Sequence, residues 1–258
     1  GLVLALAIAY LAVFKLLNAL MPGMASKSGV EVLFGIMFFS IPMALFALLG
    51  FKFIEMAIYE KPARPLPALW RNFKAVLTSR EKMASGLPLF VALVTFMYVF
   101  TMLKSNISVL APFSWDQTFD RWDVALHFGY RPWELLAPLL NHPPVTAVIA
   151  VNYHMWFLGL TLYWLYFAFE ERPGAFRTQA LLAFMLTWSV GGVALAMLFS
   201  SAGPCYFGKL GLGHDPYAEL MAYLHETSKS WPVWAVALQD SLWANYANGS
   251  GDITKGIS

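Results

Sequence analysis

Charge is scarce in this sequence. Asp, Glu, Lys and Arg make up only 12% of its 258 residues, well under the share usual in soluble domains. The 17 Lys and Arg nearly balance the 15 acids, so the net charge of +2 offers no electrostatic footprint for nucleic acid. Cysteine is almost missing too. Cys205 stands alone, which rules out an intramolecular disulfide and with it a disulfide-stapled secreted scaffold. There is no P-loop, no G-x-G-x-x-G after a strand, no H-E-x-x-H and no G-x-S-x-G. The histidines at 127, 142, 154, 214 and 225 include no pair at helical i,i+4 spacing, and no paired-cysteine metal spacing exists. No metal and no cofactor is therefore expected.

What fills the space is apolar. Hydrophobic residues reach 59%, with 21 Phe, 11 Tyr and 10 Trp, and the mean hydropathy is +0.59. These values exclude a disordered chain and predict an all-α integral membrane protein, a multi-pass helical bundle. A bilayer core about 30 Å thick needs roughly 20 apolar residues in helix. Five stretches meet or approach that length: 1–21, 32–51, 86–103, 145–169 and 178–199. The fourth lies in a tract free of acids, lysine and arginine between Glu134 and Glu170, and the fifth in another between Arg177 and Lys209. Pro42 inside the second is tolerable where neighbouring helices re-satisfy the freed carbonyl. No repeat or Pro/Ser-rich linker divides the chain, so residues 1–258 read as one membrane domain.

Basic residues set the expected orientation. The segment 55–85 holds Lys61, Arg64, Arg71, Lys74, Arg80 and Lys82, and the turn after the fourth span holds Arg172 and Arg177. Segments 104–144 and 200–258 hold three basic residues each. The rule puts the N-terminus and both basic segments in the cytoplasm, and residues 104–144 and 200–258 outside or in a lumen. Those two outer segments carry Trp115, Trp122, Trp133, Trp231, Trp234 and Trp243. Tryptophan favours the headgroup layer, so interfacial helices lying on the membrane are expected there. Asp116 or Thr118 is expected to cap one of them, with Phe119, Trp122 and Leu126 on one face and Gly129 closing it. Asp215-Pro216 should open another, with Tyr217, Leu220, Met221 and Leu224 at helical spacing, and a further apolar piece spans 231–243. Two Asn-x-Ser sequons begin at Asn106 and Asn248.

Two polar groupings stand out. Asn152, Tyr153 and His154, with Trp156 beside them, interrupt the fourth span at bilayer depth, where a polar group usually faces the bundle interior. They are candidates either for packing or for lining an outward-opening pocket. At the end of the fifth span, Gly203-Pro204 should break the helix at headgroup level and free backbone N–H groups for a phosphate. Cys205, Tyr206 and the cation Lys209 complete that candidate phosphate site; the residues alone fit better an ordinary helix end with an interfacial tyrosine and a snorkelling lysine.

Three stretches carry a family likeness: Phe119-Asp-Arg-Trp-Asp-Val-Ala-Leu126 followed by Tyr130-Arg-Pro-Trp133, Asn152-Tyr-His-Met-Trp156, and Ser201-Ala-Gly-Pro-Cys-Tyr-Phe207. Together they resemble the type 2 phosphatidic-acid phosphatase superfamily, in its inositolphosphorylceramide-synthase-like branch of phosphotransferases. The likeness covers about residues 114–258, leaving 1–113 as N-terminal spans. It implies a six-helix core, an active site at the outer or lumenal membrane surface, and a phosphohistidine formed by a Pro-Ser-x-His histidine. A second histidine, four residues before an aspartate, would then act as acid and base.

The chain departs from that pattern. It has no Pro-Ser-x-His, none of its five histidines precedes an aspartate by four residues, and the Lys-x6-Arg-Pro phosphate motif is missing. Gly256-Ile257-Ser258 resembles the lead-in to the nucleophile motif, so the catalytic histidines are expected beyond residue 258 and no catalytic residue within it. The implied partners are membrane lipids and a lipid-phosphate substrate. The alternatives are a non-catalytic multi-pass transporter or complex subunit, and a membrane glycosyltransferase using Asp116, Asp120 and Asp123. Helix capping and solvation explain those acids equally well.

Overall fold

The computed structural model describes residues 1–20, 28–170 and 174–247. Among them the chain is helix, turn and loop, without a strand. Five helical stretches are long and apolar enough to cross a membrane: Leu2–Leu20, Ile41–Glu60, Arg80–Ser105, Pro143–Phe169 and Ala175–Leu198. The expected all-α, multi-pass membrane bundle is what the structure shows. The sequon at Asn248, the residues Arg172 and Lys255, and the stretch 256–258 lie outside the described residues.

Helix α1 is Leu2–Leu20, and α2, Ser28–Glu55, keeps Pro42 in its interior and runs on through a π-helical turn at Met56–Glu60. Helix α3, Pro65–Thr78, falls in the basic segment and was not foreseen. Its signal was present: Pro65 suits the first helical position, and Leu66, Leu69, Trp70 and Phe73 recur at helical spacing between Arg64, Arg71 and Lys74. Helix α4, Arg80–Ser105, begins six residues before the expected third span, because the backbone ladder continues through Arg80, Glu81 and Lys82. Helix α5 is Ile107–Leu110, α6 Asp116–Leu126 and α7 Pro132–Leu140. Helix α8 is Pro143–Phe169, α9 is Ala175–Ser189 with a π-helical continuation over Val190–Leu195, and α10 is Ala196–Leu198. The tail forms α11, Ala218–Ser228, and α12, Trp234–Ala247.

Packing groups the chain into two compact units. One comprises Gly1–Leu20, Gly29–Phe100 and Trp156–Thr187. Its centre is α4, whose Leu93, Phe96 and Val99 are fully buried. The Phe96 ring meets Tyr10 of α1 at 4.8 Å and Phe184 of α9 at 6.1 Å between centroids. Arg177 is also buried in this unit, and its guanidinium donates to the carbonyls of Ala168, at 2.8 Å, and Ser85, at 3.0 Å. Gly86 lets α4 approach the same place. A Cβ on it would strike the Phe169 ring and come within 2.8 Å of the Ala168 carbonyl oxygen.

The other unit includes Thr101–Met155 and 188–247. The Ser200 carbonyl accepts from the N–H groups of Ser114 and Trp115 at 3.0 and 3.1 Å, and the Ser200 hydroxyl donates to Ala111 at 2.6 Å. Trp115, Phe119 and Phe199 cluster around this junction, Trp115 meeting Phe199 edge-on at 4.9 Å. The first turns of α8 meet the tail: Ala150 packs with Val233, Val236 and Leu224, and the Thr146 and Tyr223 hydroxyls lie 2.8 Å apart. Asn106 is buried and donates to the Met102 carbonyl, so its sequon offers no acceptor for a bulky glycan in this fold.

Candidate functional site

The helix break after α10 forms as expected, with Gly203 at φ 91°, a left-handed conformation that glycine alone adopts freely. The amides of that turn are nonetheless not open to a ligand. Asp116, only 5% exposed, accepts from the Ser201 hydroxyl at 2.7 Å, the Gly203 N–H at 2.9 Å and the Ala202 N–H at 3.2 Å. The phosphate-sized nest expected at Gly203-Pro204 thus holds a carboxylate supplied by the chain itself. Asp116 starts α6 without capping it, since its side chain makes these long-range contacts instead.

Beyond Gly203, the chain turns through Pro204–Tyr206 and Gly208–Leu210 as two short 3-10 turns. Tyr206 is buried; its hydroxyl donates to the Gln239 carbonyl at 3.0 Å, and its ring stacks on Trp243 at 5.5 Å. Desolvation pushes the Tyr206 phenol well above its ordinary pKa, so it remains a donor. The half-buried Cys205 thiol is pushed up by desolvation as well, the opposite of what an activated nucleophile needs.

Lys209 is the reactive-looking element of this turn. Its ammonium lies 3.5 Å from Asp240, 5.8 Å from the Tyr206 ring centroid and 5.5 Å from that of Trp243. His225 of α11 approaches the other Asp240 oxygen, with Nδ1 at 3.7 Å. Asp240 and Trp243 stand one turn apart on α12, which is why a single helix face serves both. A lysine ammonium, an imidazole and a carboxylate therefore converge beside two aromatic rings, all three ionisable groups partly open to the surroundings. Such a cluster can take up an anionic oxygen on Lys209 and His225 in competition with Asp240. The sequence pointed to Tyr206 and Lys209 but not to His225, Gln239 or Asp240, which join them only through folding.

Of the intramembrane candidates, His154 is half-buried, with Nδ1 donating to the Ala150 carbonyl one turn back at 2.7 Å. Its ring meets Trp234 edge-on at 5.0 Å, so this histidine packs α8 against the tail. Asn152, Tyr153 and Trp156 are exposed on the same helix, and only Tyr153 of the three meets the His154 ring, edge-on at 5.5 Å.

A second polar group forms nearby in sequence. Arg131 grips Asp120 through two nitrogens at 2.6 and 3.0 Å, and the Tyr217 hydroxyl donates to the same carboxylate at 3.1 Å. With Asp116 and Asp120 both engaged inside the fold, two of the three acids considered for sugar chemistry serve structural contacts. The Arg131 hydrogen bonds hold the Asp120 pKa below its ordinary 3.8. A carboxylate with a lowered folded-state pKa adds stability above its unfolded value and loses it as pH falls through the folded one. Asp120→Asn is accordingly expected to cost about 1–2 kcal/mol at pH 7. That difference should persist to pH 5 and vanish only well below 3.8. Denaturant unfolding in mild detergent at stepped pH measures it, and a difference already lost at pH 5 would contradict the pairing.

Among the described residues no group of three His, Cys, Asp or Glu is placed to hold a metal ion. No family model, curated protein or solved structure matches the chain. The class that the fold defines is an all-α, multi-pass membrane protein.

Proposed function

We propose that the chain serves a membrane lipid phosphotransferase or phosphatase of the phosphatidic-acid-phosphatase type, binding a lipid phosphate at the outer or lumenal surface. The observation that carries this reading is the convergence of Lys209 and His225 on Asp240, directly after the last apolar span. In the orientation favoured by the basic residues, with the N-terminus cytoplasmic, this cluster faces the side where the resemblance expects the active site. The aromatic walls Tyr206 and Trp243 limit where the ammonium can point, which favours one phosphoryl position over diffuse attraction. Phosphate binding, not nucleophilic attack, is the role of Lys209 and His225, and Tyr206 supplies an aromatic wall. Gly203, Pro204 and Cys205 shape the turn that presents them.

Retention of dioctanoyl phosphatidic acid by the protein in phosphatidylcholine nanodiscs tests the reading. Lys209→Ala is expected to weaken binding about tenfold, equivalent to about 1.4 kcal/mol, and His225→Ala several-fold. Equal retention of dioctanoylglycerol, which lacks the phosphate, or unchanged retention by both variants would reject the site and favour a non-catalytic membrane subunit.

A further inference from the structure

The turn between α6 and α7 presents large apolar side chains to the surroundings although it belongs to no spanning helix. Phe128 at its tip is 94% exposed, and Leu126, Tyr130 and Trp122 beside it are each at least half exposed. The backbone there is unusual. Helix α6 ends with the Gly129 N–H bonded to the Val124 carbonyl at 2.9 Å, which puts Phe128 at the left-handed position of a helix C-terminus, at φ 59°. Glycine ordinarily takes that position because a side chain strains it. A phenylalanine that bears the strain and contacts little else in the chain is a side chain aimed at something outside it.

We propose that this tip is a lipid anchor, with Phe128 and Leu126 inserted among the acyl chains at the membrane face where α8 begins. Helix α7 ends at Leu140 and the spanning helix α8 starts at Pro143, so the turn is tied to the bilayer surface by nine helical residues. At the rise of a helix these cover about 14 Å, and their exposed Leu135, Leu136 and Leu139 continue the apolar stripe from the tip to the span. The half-buried Arg131 does not enter the headgroup layer unpaired, because Asp120 and Glu134 both flank it. A glycerophospholipid surface is the occupant that fits an apolar tip hinged directly to a membrane span.

The test places a nitroxide at position 128, as F128C in a C205S background, with the protein in phosphatidylcholine–phosphatidylglycerol vesicles. Power-saturation measurements compare collision with dissolved oxygen and with a water-soluble nickel chelate. Insertion predicts oxygen accessibility exceeding chelate accessibility several-fold. Dominant chelate collision would place the tip in water, and low accessibility to both would place it under other protein; either overturns the proposal. Labels at Leu126 and Tyr130 give the same readings should F128C fold poorly. In F128G, which keeps the turn conformation, the label at 126 should shift toward the chelate. Failure of this anchor leaves the lipid-phosphate reading untouched, because the two rest on different residues.

Discussion

Asp116→Ala is expected to lower the unfolding free energy by about 3–4 kcal/mol and to lose most of the ordered structure around Tyr206. The carboxylate is buried and is the shared acceptor for one hydroxyl and two backbone N–H groups of the 201–203 turn. Alanine removes all three acceptor contacts and leaves the Ser201 hydroxyl and the Ala202 N–H without partners, each at about 1–3 kcal/mol when dry, while the Gly203 N–H keeps the Ser201 hydroxyl oxygen at 3.2 Å. Water entering the part-open turn recovers some of that, hence the lower total. Asp116→Asn should fall between, since its oxygen still accepts while its NH2 opposes the remaining donors. Ser201→Ala, which removes one donor and leaves the backbone pair intact, should cost about 1 kcal/mol. Denaturant unfolding in mild detergent ranks the three, and an Asp116→Ala midpoint equal to that of the parent would show that the carboxylate does not hold the turn. Because Lys209 follows the same turn, Asp116→Ala should also weaken phosphatidic acid retention without touching the ligand.

The second large effect concerns Arg177→Leu, expected to cost about 2–4 kcal/mol. Arg177 is 4% exposed and joins the end of α8, through Ala168, to the first turns of α4, through Ser85. The α4 acceptor is next to Ala84, whose carbonyl Pro88 leaves without its ladder donor. Leucine fills similar space but leaves two carbonyls without that donor in an apolar setting. Arg177→Lys, with a compact ammonium in place of a planar fork, should recover less than half. Hydrogen exchange at the ends of α4 and α8, read with the unfolding midpoint, would detect the loss. Unaltered protection in Arg177→Leu would show that packing alone joins these helices.

Arg177 also illustrates how a residue can be read correctly for one purpose and incompletely for another. In the sequence it counts toward orientation because it flanks an apolar tract. In the fold it is a buried donor, and nothing in its local neighbours announces that, since Ser85 lies far earlier in the chain. Asp116 is similar. Its place before an amphipathic stretch reads as a helix cap, which is a local explanation, while its partners stand more than eighty residues later. His225 and Asp240 had no motif to mark them, because their spacing along the chain corresponds to no helical or strand repeat.

The apolar helices, by contrast, were legible in the sequence, within one or two residues at α1 and α8, although α2 and α4 run several residues past the expected bounds. Twenty apolar positions in a row can satisfy their backbone in a bilayer only as helix, so composition and length decide the element without reference to its neighbours. The membrane class and the number of candidate spans follow from that local constraint. Which donors meet which acceptors at the helix ends is a different kind of fact. It depends on how distant segments approach, and only tertiary packing turned the open amide nest suggested by Gly203 into a closed contact with Asp116 and brought Lys209, His225 and Asp240 to one place.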